Sequence, residues 1–270
     1  MSAHRISAIV TTFNRREQCK RAVLSALAQT RSPLEVLVCD NGSTDDTRRT
    51  VDELAQSDER VRYLALPTNT GSPAASRNLG LRAGRGDWVA FLDDDDQWLP
   101  EKLALQLPAL SDSHSLVCAN ARRSDGREYF TSEDAEVTFG RKELLRDNPV
   151  ITSTAVVNKE RLLDAGGFPE DLRIVDDYGA WLALADGGAT ATRLPDVVAL
   201  YETNDGDRLS ATAASCQRAA ASLALRRWKQ RPFDRGLAMA TIHHSVRAVK
   251  VSSPATVRRR VSAASSSTRS

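Results

Sequence analysis

The segment WVAFLDDDDQWLP, from Trp88 to Pro100, decides the fold. The apolar run Trp88 to Leu92 reads as a buried strand, and four aspartates, Asp93 to Asp96, follow it without a break. Adjacent carboxylates repel one another, and a carboxylate beside a buried strand loses hydration. Such a cluster calls for a cation. Mg2+ and Mn2+ favour oxygen ligands and typically take one or two carboxylates together with waters and substrate phosphates. The other reading of the run is a solvated acidic loop.

Upstream, ISAIV (6–10), LEVLVC (34–39) and RVRYLAL (60–66) read as three further strands. Between them Cys19, Ala22, Val23, Ala26 and Leu27 recur at helical spacing, which predicts a helix over residues 15–29. Asn41-Gly42 marks a turn, and Ser43 or Thr44 can cap a helix over 45–56. SPAASRNLGLRAG carries Pro73 near its start and Gly84 after its end, as a helix does. Strands alternating with helices predict a parallel α/β sheet, in which ligands bind beyond the carboxyl ends of the strands. Three polar segments fall at those ends: residues 11–14, 40–43 and 93–96.

Downstream, SLVCA (115–119), ITSTAVV (151–157) and VVALY (197–201) read as strands, and KERLLDAGGF as a helix ended by Gly166-Gly167. DDYGAWLALADGG opens with Asp176 and Asp177, where acids suit a helix N-terminus. After Leu209 the chain turns Ala-rich and basic, which predicts two helices split at Pro232. The end, RRRVSAASSSTRS, reads as disordered.

With 270 residues, 41% of them hydrophobic, the chain can bury a substantial core as one large domain or two small ones. Its four cysteines are scattered with no CxxC pair, which argues against a zinc site or a disulfide framework and fits a reducing compartment. No apolar h-region of signal-peptide length opens the chain, and no run of about 18 apolar residues occurs. These features predict a soluble, cytoplasmic protein. The formal charge of +2 is uneven: Arg218 to Ser270 carries twelve Lys or Arg against Asp234, or +11, leaving −9 on the first 217 residues. No basic motif interleaved with aromatics supports nucleic-acid binding.

The order and spacing of IVTTFNR, VCDNGSTDDT, NTGSPAASRNLGLRAGRGDWVAFLDDDDQWLPEKL, AGGFPEDL and DDYGAWL, over roughly residues 5–200, resemble the inverting family-2 glycosyltransferases of the GT-A fold. The resemblance implies an α/β GT-A fold: a Rossmann-like, mostly parallel central sheet with flanking helices, plus a C-terminal helical extension. Residues 1–100 would form the nucleotide-sugar-binding half, 101–210 the acceptor-binding half, 211–250 the extension and 251–270 a basic, disordered tail. The implied activity is metal-assisted transfer from a UDP- or dTDP-linked sugar to an acceptor nucleophile: a glycan, a lipid-linked molecule, a peptide or a small molecule. Thr11, Phe13 and Asp40 fall where the family holds the nucleotide base, and Arg77 lies in SRNLG beside the donor site. Asp40 is also an ordinary turn aspartate, and Arg77 an ordinary helix-surface arginine. The DxD-type motif maps to Asp93-Asp94-Asp95. The resemblance implies Asp95 as the metal ligand, for Mn2+ or Mg2+. By the same resemblance, Asp93 or Asp94 would meet the ribose or a metal-bound water, and Asp96 would support the loop. Asp177 is the implied catalytic base, with Asp176 as helix cap. Two departures stand out: Ala183 replaces the arginine of a WLRL pattern, and Glu202 and Asn204 stand in the segment where relatives carry a histidine. A metal-dependent nucleotidyltransferase is the alternative enzyme, although VTTFNRRE lacks the glycine-rich phosphate loop such enzymes need. A catalytically inactive nucleotide-sugar-binding protein is the non-enzymatic alternative. Arg258–Arg260 and the Ser-rich end are expected to make weak, peripheral contact with the inner face of a membrane.

Overall fold

Apolar runs buried on both faces pair in parallel when helical crossovers cover the two sides. The computed structural model, which describes residues 4–111, 114–131, 136–203 and 213–252, has this arrangement in its first half. β1 (Ile6–Thr12), β2 (Glu35–Asp40), β3 (Val61–Ala65) and β4 (Trp88–Asp93) lie in the order β3-β2-β1-β4, all parallel. α1 (Arg16–Leu27), α2 (Thr47–Ser57) and α3 (Ala74–Ala83) connect them. Every residue of β1 and β2 is buried. Cys19, Ala22, Val23 and Ala26 of α1 join Val10, Val38 and Leu92 in one core cluster. Full burial of a Val or Leu side chain contributes about 1.5–3 kcal/mol, so packing rather than intrinsic propensity holds these short helices. α3 sits especially close to the sheet: a Cβ on Gly80 would stand 2.7 Å from Cys39 Sγ and from Ile9 Cγ2.

The second half turns the sheet mixed. β5 (Gln97–Trp98), β6 (His114–Arg123), β7 (Val137–Phe139), β8 (Val156–Asn158) and β9 (Thr190–Tyr201) extend it to the order β3-β2-β1-β4-β8-β6-β9-β5, with β7 also on β9. β8 runs antiparallel to β4 and β6, while β6 and β9 are parallel. α4 (Lys102–Gln106), α5 (Arg141–Leu144), α6 (Lys159–Asp164) and α7 (Asp176–Asp186) intervene. Two elements differ from the sequence reading. ITSTAVV is not one strand: Thr152–Thr154 form a 3-10 turn before β8. Thr154 Oγ1 donates to the Ile151 carbonyl at 2.8 Å, the local bond by which Ser and Thr compete with strand ladders. VVALY is only the end of β9, which begins at Thr190. Pro195 falls where the β6–β9 register skips from Ala119↔Leu194 to Asn120↔Val197, an irregularity that tolerates its missing N–H.

α4 carries an anomaly. Lys102 is fully buried, donates to Gln106 Oε1 at 2.6 Å and lies 4.4 Å from the Trp98 ring centroid. No carboxylate pairs with it among the described residues. Burial pushes its pKa well below 10.5. A base depressed in the folded state contributes stability above its unfolded pKa that is lost as pH falls towards the folded pKa. Lys102→Met should therefore gain stability relative to wild type as pH falls from about 9.5 to about 7.5, by at most about 1.4 kcal/mol per pH unit. Urea midpoints across that range test it; a pH-independent difference would show the ammonium to be held as comfortably as in water.

α8 (Ala213–Gln230) and α9 (Arg235–Ser252) belong to a second compact unit with Leu145–Asp147. They pack through Ala220, Leu223 and Ala224 on one side and Leu237, Ala240 and Ala248 on the other, all buried. His244 is buried with them, 3.0 Å from Gln217 Oε1, and Arg247 pairs with Asp147 at 2.7 Å. Among the described residues no helix is long and apolar enough to cross a membrane. Asn204 and the tail with Arg258–Arg260 lie outside the described residues.

Candidate active site

Strand register assembles the rim. Thr11 of β1 is opposite Cys39 of β2 and Asp93 of β4, and Thr12 is opposite Asp40. Three carboxyl ends thus bring Thr11, Asp40 and Asp93 together. Thr11 Oγ1 donates to Asp93 Oδ1 at 3.2 Å, and Thr12 Oγ1 to Asp94 Oδ2 at 2.7 Å. Beyond β1 the chain turns at Asn14, whose φ of +51° an asparagine tolerates. Asn14 Oδ1 accepts from the Thr44 backbone N at 2.7 Å, and its own N–H donates to Ser43 Oγ at 2.8 Å. These bonds lock the loop after β1 to the loop after β2. Asp40 is fully buried and accepts from the Ser43 N–H at 2.8 Å and the Tyr63 hydroxyl at 2.6 Å. Phe13 is exposed on the same loop.

The four aspartates alternate. Asp93 and Asp95 are partly exposed, whereas Asp94 and Asp96 are buried. Asp96 accepts from Ser153 Oγ at 2.5 Å and from the Glu202 N–H at 2.9 Å. Burial pushes Asp94 up to about 7 and Asp96 well above the usual carboxylate range. The repulsion in the run is thereby relieved in two ways: the inner pair holds protons more tightly, and guanidinium groups meet the rest. Arg15 Nη1 lies 3.3 Å from Asp94 Oδ1 and 3.2 Å from Asp95 Oδ2. It also lines an open depression of about 540 Å3 with Asn14 and Thr44.

Arg77 is not a surface arginine. It is 4% exposed, donating through Nη2 to Asp93 at 2.7 Å and through Nη1 to Asp176 at 2.6 Å. Its Nε, also buried, has no partner, and Phe168 lies 5.5 Å from the guanidinium. Burial works against its charge, but Asp93, Asp176 and Asp177 outweigh it and raise its pKa. Asp176 is spent on this pair. Burial raises it to about 6, against the pull of Arg77. Asp177 is the more open of the two: Oδ2 accepts from Thr152 Oγ1 at 2.6 Å and Oδ1 from the Tyr178 N–H at 2.7 Å. Val175, just before them, sits at φ +61°. A β-branched residue in that region is strained, on the order of 1–3 kcal/mol, and such strain gathers at functional sites.

AGGFPEDL is fastened to α3. Asn78 Nδ2 donates to the Phe168 carbonyl and to Glu170 Oε1, both at 2.8 Å, and Ser72 Oγ donates to the Leu172 carbonyl at 2.9 Å. Gly167, at φ +70°, leaves no room for a Cβ, which would stand 2.5 Å from Asn78 Oδ1. Trp181 is 1% exposed, a core residue in tilted and edge-to-face contact with Phe91 and Phe168.

Sequence reasoning missed Arg15, Thr12, Thr152 and Ser153. A basic side chain at a helix N-terminus, where the dipole disfavours it, was the available signal for Arg15. The hydroxyl residues gave none, because their roles depend on strand register and on the 3-10 turn.

Among the described residues no group of three or more His, Cys, Asp or Glu side chains forms a ready metal cage. Two partly exposed carboxylates on an open rim nevertheless suit a hard cation that keeps its waters and takes phosphate oxygens. The donor set of Asp93 and Asp95 fits Mg2+ or Mn2+.

A mostly parallel sheet with flanking helices, whose carboxyl ends converge threonines, aspartates and arginines, has the GT-A fold. The chain belongs to glycosyl transferase family 2, whose profile matches residues 7–162. It is 26% identical over 205 residues to "UDP-Glc:alpha-D-GlcNAc-diphosphoundecaprenol beta-1,3-glucosyltransferase WfaP" of Escherichia coli, covering 74% of this chain and 78% of that one. The Staphylococcus aureus TarS 1–349 structure with UDP-GlcNAc superposes with a TM-score of 0.67 at 22% identity, over 83% of this chain and 66% of that one. A Pyrobaculum calidifontis mannosyltransferase in complex with GDP-Man and Mn2+ does so with a TM-score of 0.65 at 21% identity, over 97% and 80%. The chain spans 30% of the length of the Rickettsia felis glycosyltransferase it matches.

Proposed function

We propose that the chain transfers a glycosyl group from a nucleoside-diphosphate sugar to an acceptor nucleophile with inversion, using Asp177 as general base. One observation carries this reading: Arg77 ties Asp93, on the donor-side rim, to Asp176, the neighbour of Asp177. A donor at the aspartates and a base at α7 are thereby held in one frame. Thr11, Phe13 and Asp40 would hold the base of the nucleotide. Uridine or thymidine suits this reading, since the E. coli relative is named for UDP-Glc. Asp93 and Asp95 would hold Mg2+ or Mn2+, which when bound neutralises charge on the leaving diphosphate. Asp94 and Asp96 brace the loop from below. Arg15 adds a positive charge at the same rim for the diphosphate oxygens.

Asp177 takes the proton of the acceptor hydroxyl. The acceptor oxygen bonds to the anomeric carbon as the carbon–oxygen bond to the diphosphate breaks, and the electron pair leaves with the nucleoside diphosphate. Thr152 and the Tyr178 N–H orient the carboxylate, and each of its oxygens keeps a lone pair for the proton. The relative's name makes a diphospholipid-linked sugar the acceptor class to try first. The scattered thiols support a reducing compartment, such as the cytoplasm, as part of this reading.

Thermal shift with UDP and dTDP, with and without Mn2+, tests the donor site. Ligand at about 100 times its Kd stabilises by about 2.7 kcal/mol. Asp95→Asn should abolish the Mn2+-dependent part of the shift and with it transfer. An unchanged Mn2+-dependent shift in that variant would reduce the four aspartates to a solvated loop.

A further inference from the structure

We propose that the α8–α9 hairpin is a docking surface for an anionic phospholipid bilayer, independently of the catalytic reading. Phe233, in the turn between the helices, is 97% exposed. It is flanked by exposed Lys229, Arg231 and Arg235. Along α9, Met239, Ile242 and Val246 are exposed by 65%, 58% and 47%. Their spacing from Arg235, by four, three and four residues, puts all four on one helical stripe. Leu237, Ala240, His244 and Ala248, on the other side of α9, are buried. The face that meets α8 is therefore already used, and the apolar stripe is a second face.

Charge says what covers it. Residues 213–252 carry eight Lys or Arg and one acid, Asp234. Asp234 is partly buried and caps α9 by accepting from the Leu237 N–H at 3.1 Å. A hairpin-to-hairpin pair with a second copy would bring like charges together. An anionic bilayer instead takes apolar side chains at the acyl boundary and the arginines and lysine at the phosphates, the arrangement of interfacial amphipathic helices.

The test is co-sedimentation of the full chain with vesicles of phosphatidylglycerol and phosphatidylcholine, and of phosphatidylcholine alone. Binding to the anionic vesicles is expected at about 50 mM NaCl and is largely lost at about 500 mM, where screening is short-ranged. Phe233→Ser with Met239→Ser and Ile242→Ser should weaken it by about ten-fold or more. Arg258→Ser with Arg259→Ser and Arg260→Ser should leave it in place. Phe233→Trp guards against a folding artefact, since it alters only an exposed ring: its added fluorescence should shift to the blue on adding anionic vesicles. No vesicle binding by wild type, wild-type-like binding by the serine variant, or loss of binding in the tail variant overturns the proposal. So does a wild-type dimer that the serine variant dissociates while vesicle binding is unchanged.

Discussion

Asp177→Asn is expected to slow glycosyl transfer by about 10²–10⁴-fold, the usual contribution of a general base, while nucleotide and metal binding persist. The substitution keeps shape: the amide oxygen can still accept from the Tyr178 N–H, and the Thr152 hydroxyl can turn to accept from the new NH2, so the helix start should survive. It removes only the ability to take a proton. Asp176→Asn is the informative partner. Asp176 is buried against Arg77 at 2.6 Å, so its loss should show first in stability. Transfer at saturating donor, beside a donor-binding measurement for each variant, separates the two. Near-normal turnover in Asp177→Asn would remove it from the chemistry.

The second large effect concerns Arg77. Removing one partner of a buried ion pair costs about 3–5 kcal/mol, because the remaining charges stay in a poor solvent. Arg77→Met should approach that range, since it strands Asp176 fully and Asp93 in part. Arg77→Lys should recover little: a single ammonium nitrogen cannot sit against both Asp93 and Asp176 as the two terminal nitrogens of the guanidinium do. Urea unfolding with a constant slope measures the change. Asp176→Asn in the Arg77→Met background should restore part of the loss, because a neutral amide is cheaper to bury than an unpaired carboxylate. A loss below about 1 kcal/mol in Arg77→Met, the surface-pair range, would show the network to be solvated.

The strand–helix alternation was legible because each parallel strand is a short, fully buried apolar run, and β4 announces itself by ending in four aspartates. The rim was legible for the same reason, since it needs only the carboxyl ends of those strands. For Arg77 the sequence left a donor-side position and an ordinary helix-surface position both open, and its burial was not legible. Its partners lie 16 and 99 residues away, and no local pattern reports burial by distant carboxylates. The Thr152–Thr154 turn was hidden because Thr and Val share strand preference, and only the hydroxyl bonds break the strand. β9 was half seen, since Pro195 and Asp196 resemble a strand boundary until the register skip accommodates them.

The fastening of α7 to β4 through one guanidinium limits recombination between relatives. A chimera that keeps β1 to β4 and imports another α7 would join Arg77 and Asp93 to a foreign helix. Unless the incoming helix carries an acid at the place of Asp176, the graft leaves the buried guanidinium with Asp93 alone and its Nη1 without a carboxylate. Crossovers intended to change acceptor choice should therefore transfer residues 77, 93 and 176 as a set, wherever the sequence junction itself is drawn.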